Sequence, residues 1–129
     1  FLSPKKLYQA SSKAREQFSV KSTGVDQLMR ALSGGNKQKV NLGRWLIKDL
    51  DVLIVDCPTR GVDIGVKAYI YQCLREAKEK GMAILLITDE LSEVLGMADT
   101  IAVMKDGEIC KLLPRSAELS EETIIEVMT

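Results

Sequence analysis

The hydrophobic and polar positions of the chain follow two periods, one typical of strands and one typical of helices. Apolar, β-branched runs at 52–55, 83–87 and 101–104 predict three buried strands. Between them, apolar positions spaced three and four residues apart predict a long helix at 64–80 and a short one at 90–97. Strands that alternate with helices indicate βαβ units, so the expected fold class is α/β with a mostly parallel sheet.

Both ends of the chain extend this pattern. Helices are predicted before the first strand, at 4–18, at 26–31 and from Ser33 to about residue 48. After the third strand, Asp106 and Gly107 predict a hairpin turn into a strand at 108–112. Pro114 then breaks the pattern before a last helix at 117–128. The sequence therefore predicts a C-terminal hairpin and helix after the α/β part.

The segment LSGGNKQ, at 32–38, carries the first candidate chemistry. Ser33 is a natural N-cap, and Gly34 and Gly35 allow backbone N–H groups to approach an anion closely. The dipole of the following helix favours negative charge at this point. A Ser-Gly-Gly triplet is also common in ordinary turns, so alone it leaves both interpretations open.

A second motif follows at 52–56, where VLIVD ends an apolar strand in a carboxylate. Ligands of open α/β sheets bind at the carboxyl ends of the strands, which is where Asp56 is expected to lie. Together with LSGGNKQ, this strand resembles the signature motif and the Walker B strand of the ATP-binding cassette (ABC) ATPases. The run PTRGVDIGVK, at 58–67, is similar to the second cassette of tandem ribose- and galactose-type sugar importers. The likeness continues through VLGMAD and TIAVMKDGEI to EETIIEVMT.

The resemblance implies a partial P-loop NTPase core. Residues 1–50 would form part of the helical subdomain with the signature motif, and 51–129 the Walker B half of the core. No G-x-x-x-x-G-K-[ST] sequence occurs in the chain, so the half with the phosphate loop is expected to be absent. We therefore expect a fragment of a longer protein.

The resemblance also assigns roles to particular residues. Asp56 would bind Mg²⁺, usually through water, and the residues expected to contact ATP are Ser33, Gly34, Gly35, Asn36 and Asp63. In ABC dimers the signature motif serves a nucleotide held by the opposite cassette. Ser33 would donate its hydroxyl to the γ-phosphate, while Gly35 and Asn36 would offer backbone N–H groups. Asp63 would lie in the D-loop at the interface between cassettes.

Two positions depart from the family pattern. Cys57 stands where related cassettes have a glutamate that polarises water, and Asp89 stands where a histidine contacts the γ-phosphate. A thiol is a poor base at this position, and a carboxylate repels phosphate. No catalytic residue is therefore expected to be intact in this half, and the isolated chain is predicted to be inactive as an ATPase. Cys57 as a nucleophile is disfavoured because the chain has no histidine to activate it.

The amino-acid composition bears on two questions, which partners the protein binds and in which compartment it works. Eighteen basic and eighteen acidic residues balance, so charge gives no argument for nucleic-acid binding. Three widely spaced cysteines indicate neither a disulfide framework nor a zinc site, which fits a reducing cytosol. The resemblance implies a peripheral protein on the cytoplasmic face of the membrane. Its partners would be an opposite ATPase cassette, membrane permease subunits and, indirectly, a sugar-binding protein.

Two other functions remain open from the sequence. One is a soluble ABC-type ATPase of DNA repair or chromosome organisation, and the other is a degenerate interaction module without catalysis. An uncovered sheet would favour the second, and it predicts that the chain self-associates. Three side chains carry minor expectations. Trp45 is predicted to pack in the core or the subdomain instead of stacking on a base, and Lys37 and Gln38 are predicted to be exposed helix residues instead of ligands.

Overall fold

The structure is a computed structural model that describes residues 3–129, and it divides into two compact units. The first unit extends to Leu85, and the second runs from Leu86 to Thr129. The predicted division into subdomains near residue 50 is a different kind of boundary and stays a prediction. Within residues 3–129, no helix is long and apolar enough to cross a lipid bilayer.

The first unit contains most of the helical residues and the first strand. Its elements, in chain order, are α1 (Pro4–Gln17), a 3₁₀ turn (Met29–Ala31), α2 (Gly34–Leu46), β1 (Val52–Asp56) and α3 (Ile64–Glu79). It ends within β2 (Ala83–Ile87), which pairs with β1 in a two-stranded sheet. The amide of Ala83 donates to the carbonyl oxygen of Asp51 at 2.9 Å at the start of this pairing. The α/β class and the short parallel sheet predicted from the sequence are confirmed.

Helix α3 connects the two strands, and its two ends show why it begins and stops where it does. Asp63 is its N-cap, with a side chain that accepts a hydrogen bond from the amide of Val66. Gly81 follows the helix with φ +95°, and Met82 donates back to the carbonyl of Ala77 at 3.2 Å. A glycine in this conformation closes the last turn at little steric cost. The helix buries Ile70, Leu74 and Ala77 on one side.

The second unit is a hairpin with a helix on either side of it in the chain. Its elements are α4 (Leu91–Met97), β3 (Thr100–Lys105), β4 (Glu108–Pro114) and α5 (Glu121–Met128). Strands β3 and β4 are antiparallel, and positive φ angles at Asp106 and Gly107 form the predicted turn. The core of this unit consists of Ile101, Val103, Leu113 and Ile124. The predicted hairpin and final helix are both present.

Several boundaries and one environment differ from the sequence-based expectation. The helix predicted at 26–31 is only a 3₁₀ turn at Met29–Ala31, and the strand predicted at 108–112 continues to Pro114. Helix α5 begins at Glu121 instead of residue 117, because Ser120 caps it and accepts from the amide of Thr123. Strand β1 extends one residue further, to Asp56. The prediction that Trp45 packs inside is wrong, since its side chain is 41% exposed.

The exposure of Trp45 follows from the way α2 packs. The buried residues of this helix are Leu42 and Gly43, and a Cβ at Gly43 would lie 2.6 Å from the ring of Phe18. Phe18 therefore uses the space that the glycine leaves, and Trp45 faces outward. Its ring instead lies beneath the cations of Arg44 and Lys48, at 5.1 and 4.4 Å from the ring centre.

Candidate nucleotide-binding site

Helix α2 begins in the geometry that the LSGGNKQ segment predicts. Ser33 is the N-cap, with φ −62° and ψ 158°. Its Oγ accepts hydrogen bonds from the backbone N–H of Asn36 at 3.4 Å and from Nδ2 of the same residue at 2.9 Å. A hydroxyl oxygen has two lone pairs and one proton, so these bonds occupy its acceptor sites. Neither bond uses the hydroxyl proton of Ser33, and the residue is exposed.

The side chain of Asn36 is itself fixed. Its Oδ1 accepts from the backbone N–H of Lys21 at 2.8 Å, which ties the segment before α2 to the start of the helix. The motif predicts only a backbone donor at Asn36, so the side-chain link from Lys21 through Asn36 to Ser33 is not predicted. The general preference of Asn for local hydrogen bonds near helix starts is the sequence signal that could have indicated it.

The two glycines of the motif have different surroundings. A Cβ added at Gly34 would meet nothing within 4 Å, whereas one at Gly35 would lie 2.7 Å from Cγ2 of Val66. Val66 belongs to the first turn of α3, so the starts of α2 and α3 are in direct contact at Gly35. A glycine is needed there for packing, in addition to any role in binding phosphate.

A second contact links α2 to the segment after β1. Nε2 of Gln38 donates to the carbonyl oxygen of Pro58 at 2.7 Å, and Gln38 is only partly exposed. The prediction that Gln38 is simply an exposed helix residue is therefore wrong, because its amide satisfies a carbonyl of the turn after Asp56. Lys37 is exposed, as predicted.

The carboxyl end of β1 carries Asp56 and the tight turn that follows it. Asp56 is exposed, and Cys57 directly after it has φ +43°, a conformation uncommon outside glycine. The amide of Arg60 donates to the carbonyl of Cys57 at 3.2 Å, and Nη2 of Arg60 donates to Sγ at 3.0 Å. This contact between the guanidinium and the thiol is not predicted from the sequence. Thr59, at the centre of the turn, is 1% exposed and anchors it.

The environment of Asp56 is compatible with Mg²⁺. Within residues 3–129, no group of three or more His, Cys, Asp or Glu side chains could by itself hold a metal ion. Mg²⁺ in nucleotide sites is usually held by one or two carboxylates, with water and phosphate oxygens completing the octahedron. A single exposed carboxylate at the end of a strand therefore fits a shared Mg²⁺, bound together with a nucleotide.

The remaining predicted residues lie in two different places. Asp63 is exposed, and one of its carboxylate oxygens caps α3 through the amide of Val66 at 3.0 Å. Its other oxygen is not needed for the cap. Asp89 belongs to the second unit, where it is exposed in the bend after β2. Within the first unit, the structure thus brings the starts of α2 and α3 together and joins the turn after Asp56 to α2.

Two side chains of α3, outside this set of residues, have shifted pKa values. Burial raises the pKa of the Tyr69 hydroxyl, and a hydrogen bond with Cys73 raises it further. Burial also raises the pKa of the Cys73 thiol, while the bond to Tyr69 partly opposes that change. Nζ of Lys39 on α2 lies 4.5 Å from the centre of the Tyr69 ring. This cluster therefore keeps its thiol and its phenol neutral at physiological pH.

Several curated proteins are similar to the chain over most of its length. It is 46% identical over 114 residues to the ribose import ATP-binding protein of Lactococcus lactis, covering 88% of this chain and 23% of that protein. It is 44% identical over 119 residues to the L-arabinose transport ATP-binding protein of Geobacillus stearothermophilus, covering 92% and 23%. The chain belongs to the ABC ATPases. It matches no protein-family model.

Solved ABC cassettes share the fold of the chain. The ADP conformation of an ATP-binding cassette of an ABC transporter matches with a TM-score of 0.74 and 29% identity, over 92% of this chain and 48% of that one. A dimeric bacterial ABC transporter cassette matches with a TM-score of 0.76 at 21% identity, over 91% and 50%. The chain thus spans about a quarter of the length of the curated relatives and about half of a solved cassette.

Proposed function

We propose that the chain is the C-terminal part of the second cassette of a tandem carbohydrate-importer ATPase. In this proposal it supplies the signature motif to a nucleotide site formed with an opposite cassette. The observation that carries it is the start of α2, where Oγ of the exposed Ser33 accepts two hydrogen bonds from Asn36 that leave its proton unused. The functions of the relatives, ribose import and arabinose transport, favour an importer over a DNA-repair ATPase.

ATP with Mg²⁺ is the proposed ligand of this site. Ser33 and the backbone at Gly34 and Gly35 would face the γ-phosphate of a nucleotide held by the opposite cassette, because hydroxyl and amide donors at a helix start suit an anion. Asp63 would lie across the interface from that nucleotide. When bound, ATP supplies the free energy that closes two cassettes and drives transport.

The site on the chain's own side is proposed to be weak in catalysis. Asp56 would still hold Mg²⁺, but Cys57 and Asp89 replace the glutamate and the histidine of related cassettes. The thiol of Cys57 contacts Arg60, and this arrangement holds no base for an attacking water. The full-length protein would therefore hydrolyse ATP mainly at the site that this signature motif completes.

The proposed setting is the cytoplasmic face of the membrane, where the protein would be peripheral and bound to permease subunits. A sugar-binding protein would take part indirectly, through the permease. A degenerate interaction module without catalysis is the second candidate, favoured by apolar residues of β1 that are exposed, Val52 and Ile54. The isolated chain would then self-associate through that surface.

The deciding experiment compares the isolated chain with the full-length protein that contains it. We expect no measurable ATP turnover by the chain alone and clear turnover by the full-length protein. Turnover by the chain alone that is lost on Asp56→Asn would contradict the proposal. Full-length protein that binds its permease but leaves ATP intact would support the interaction module instead.

A further inference from the structure

Two contacts hold the start of α2 against the segment 58–66, which follows β1. Nε2 of Gln38 donates to the carbonyl oxygen of Pro58 at 2.7 Å, at one end of the segment. At the other end, a Cβ added to Gly35 would lie 2.7 Å from Cγ2 of Val66. Residues three apart in a helix lie on the same face, so one face of α2 contacts both ends of this segment.

The hydrogen bond from Gln38 is a tertiary link, not a contact within one helix. It joins groups 20 residues apart in the chain, and it is partly buried. Pro58, which supplies the acceptor, is buried. A backbone carbonyl group away from water needs a donor, and losing that donor destabilises the conformation that depended on it. The amide of Gln38 therefore holds the turn after Asp56 at a fixed place against α2.

The same link connects two of the candidate nucleotide-binding residues. Asp63 lies within the segment 58–66, and its carboxylate caps α3 through the amide of Val66 at 3.0 Å. Ser33 caps the end of α2 that contacts the segment. Since α2 holds the segment at Pro58 and at Val66, these two contacts also set the position of Asp63 relative to Ser33.

We propose that Gln38 is a positioning residue for ATP hydrolysis, which acts by fixing Ser33 relative to the turn after Asp56. The inference rests on the proposed function, in which Ser33 faces the γ-phosphate of a nucleotide held by the opposite cassette. A displacement of about 1 Å that originates away from the reacting atoms can lower a rate about 10²-fold. Because the opposite cassette holds the nucleotide in this arrangement, losing the Gln38 bond affects kcat more than KM.

The test is steady-state ATP hydrolysis by the full-length protein carrying Gln38→Met, which keeps the length of the side chain and removes its donor. We expect kcat to fall about tenfold while KM for ATP changes less than about twofold. Gln38→Lys keeps a donor and should restore most of the lost turnover. Gln72→Met is the matched control, because Gln72 is exposed on α3 and its Nε2 donates to Oε1 of Glu76 at 2.9 Å. It should leave kcat and KM unchanged.

Positioning is separated from a loss of folded protein by repeating Gln38→Met together with Ser33→Ala. Fewer folded molecules would lower turnover by the same factor in both backgrounds, whereas lost positioning of Ser33 should cost less than about twofold once its hydroxyl is absent. Equal factors in the two backgrounds, an equal loss in Gln72→Met, or no recovery in Gln38→Lys would each overturn the inference alone. Unchanged turnover in Ser33→Ala by itself would overturn the proposed function and this inference together.

Discussion

The start of α2 and the carboxyl end of β1 are both turns with local side-chain hydrogen bonds, but the two turns present different side chains. At the start of α2, Oγ of the exposed Ser33 accepts two hydrogen bonds from Asn36. At the end of β1, Sγ of Cys57 accepts a hydrogen bond from Arg60, and Thr59 is buried. The first turn thus presents a hydroxyl group, whereas the second presents a thiol that is already hydrogen-bonded to a guanidinium.

The largest expected effect concerns Ser33 at the start of α2. In the full-length protein, Ser33→Ala should lower ATP turnover about 10²-fold, because one donor to the developing phosphate charge is removed. Steady-state hydrolysis measures this effect.

Ser120→Ala is a matched control, since Ser120 also caps a helix, through the amide of Thr123 at 3.3 Å. Both substitutions should reduce stability by about 1 kcal/mol, but only Ser33→Ala should reduce turnover. Equal turnover in the two variants would show that Ser33 is only a helix cap.

The second prediction concerns packing beneath the same motif. Gly35→Ala should destabilise the chain by about 1–3 kcal/mol, because its Cβ would lie 2.7 Å from Val66 Cγ2. Gly34→Ala should be neutral or slightly stabilising, since nothing lies within 4 Å of its Cβ. Urea unfolding measures both. If Val66→Ala does not recover part of the loss in the Gly35→Ala background, the contact is not the cause.

The third prediction concerns Cys57 in the turn after β1. In the full-length protein, Cys57→Glu should raise ATP turnover about tenfold, because a general base typically contributes more than this once well placed. Cys57→Gln is the control, as it matches the size of the side chain without a base. A rise in the control as large as in the test variant would place the limitation elsewhere.

The smallest expected effect compares two thiols. Cys73 should be alkylated severalfold more slowly than Cys57 at pH 7.5, because burial raises the pKa of Cys73 and less thiolate is present. Variants that keep only one cysteine, followed by mass spectrometry, measure the two rates. Faster labelling of Cys73 than of Cys57 would contradict the burial.

The raised pKa of Cys73 also affects the stability of the chain. Because the folded chain holds the Cys73 proton more tightly than the unfolded chain does, Cys73 contributes to the free energy of unfolding. This contribution is complete below the unfolded thiol pKa of about 8.5 and is lost as pH rises through the folded pKa.

Much of the fold could be predicted because its signals are local. The apolar runs gave the strands, and Asp106, Gly107 and Gly81 gave the hairpin turn and the end of α3. The start of α5 was placed four residues early, since the cap at Ser120 competes with other polar residues before it. Trp45 was misplaced because helical spacing cannot show that Phe18 fills the space at Gly43.

The candidate site was predictable only in part. Ser33, Asp56 and Asp63 could be assigned from motifs, and the departures at Cys57 and Asp89 are visible as residue identities. The bonds from Gln38 to Pro58 and from Arg60 to Cys57 were not predicted. Both depend on side-chain directions around a turn, which no spacing rule specifies.

The order of strands and helices, the capped start of α2 and the family can be inferred from the residues alone, because periodicity, caps and motifs are properties of neighbouring residues. Three features require the folded chain: the close approach of Gly35 to Val66, the outward direction of Trp45, and the exposure of Val52 and Ile54. Those outcomes depend on which surfaces from distant parts of the chain meet. Burial depends on the packing of the whole chain, and the residues of an apolar strand are the same whether or not another element covers it.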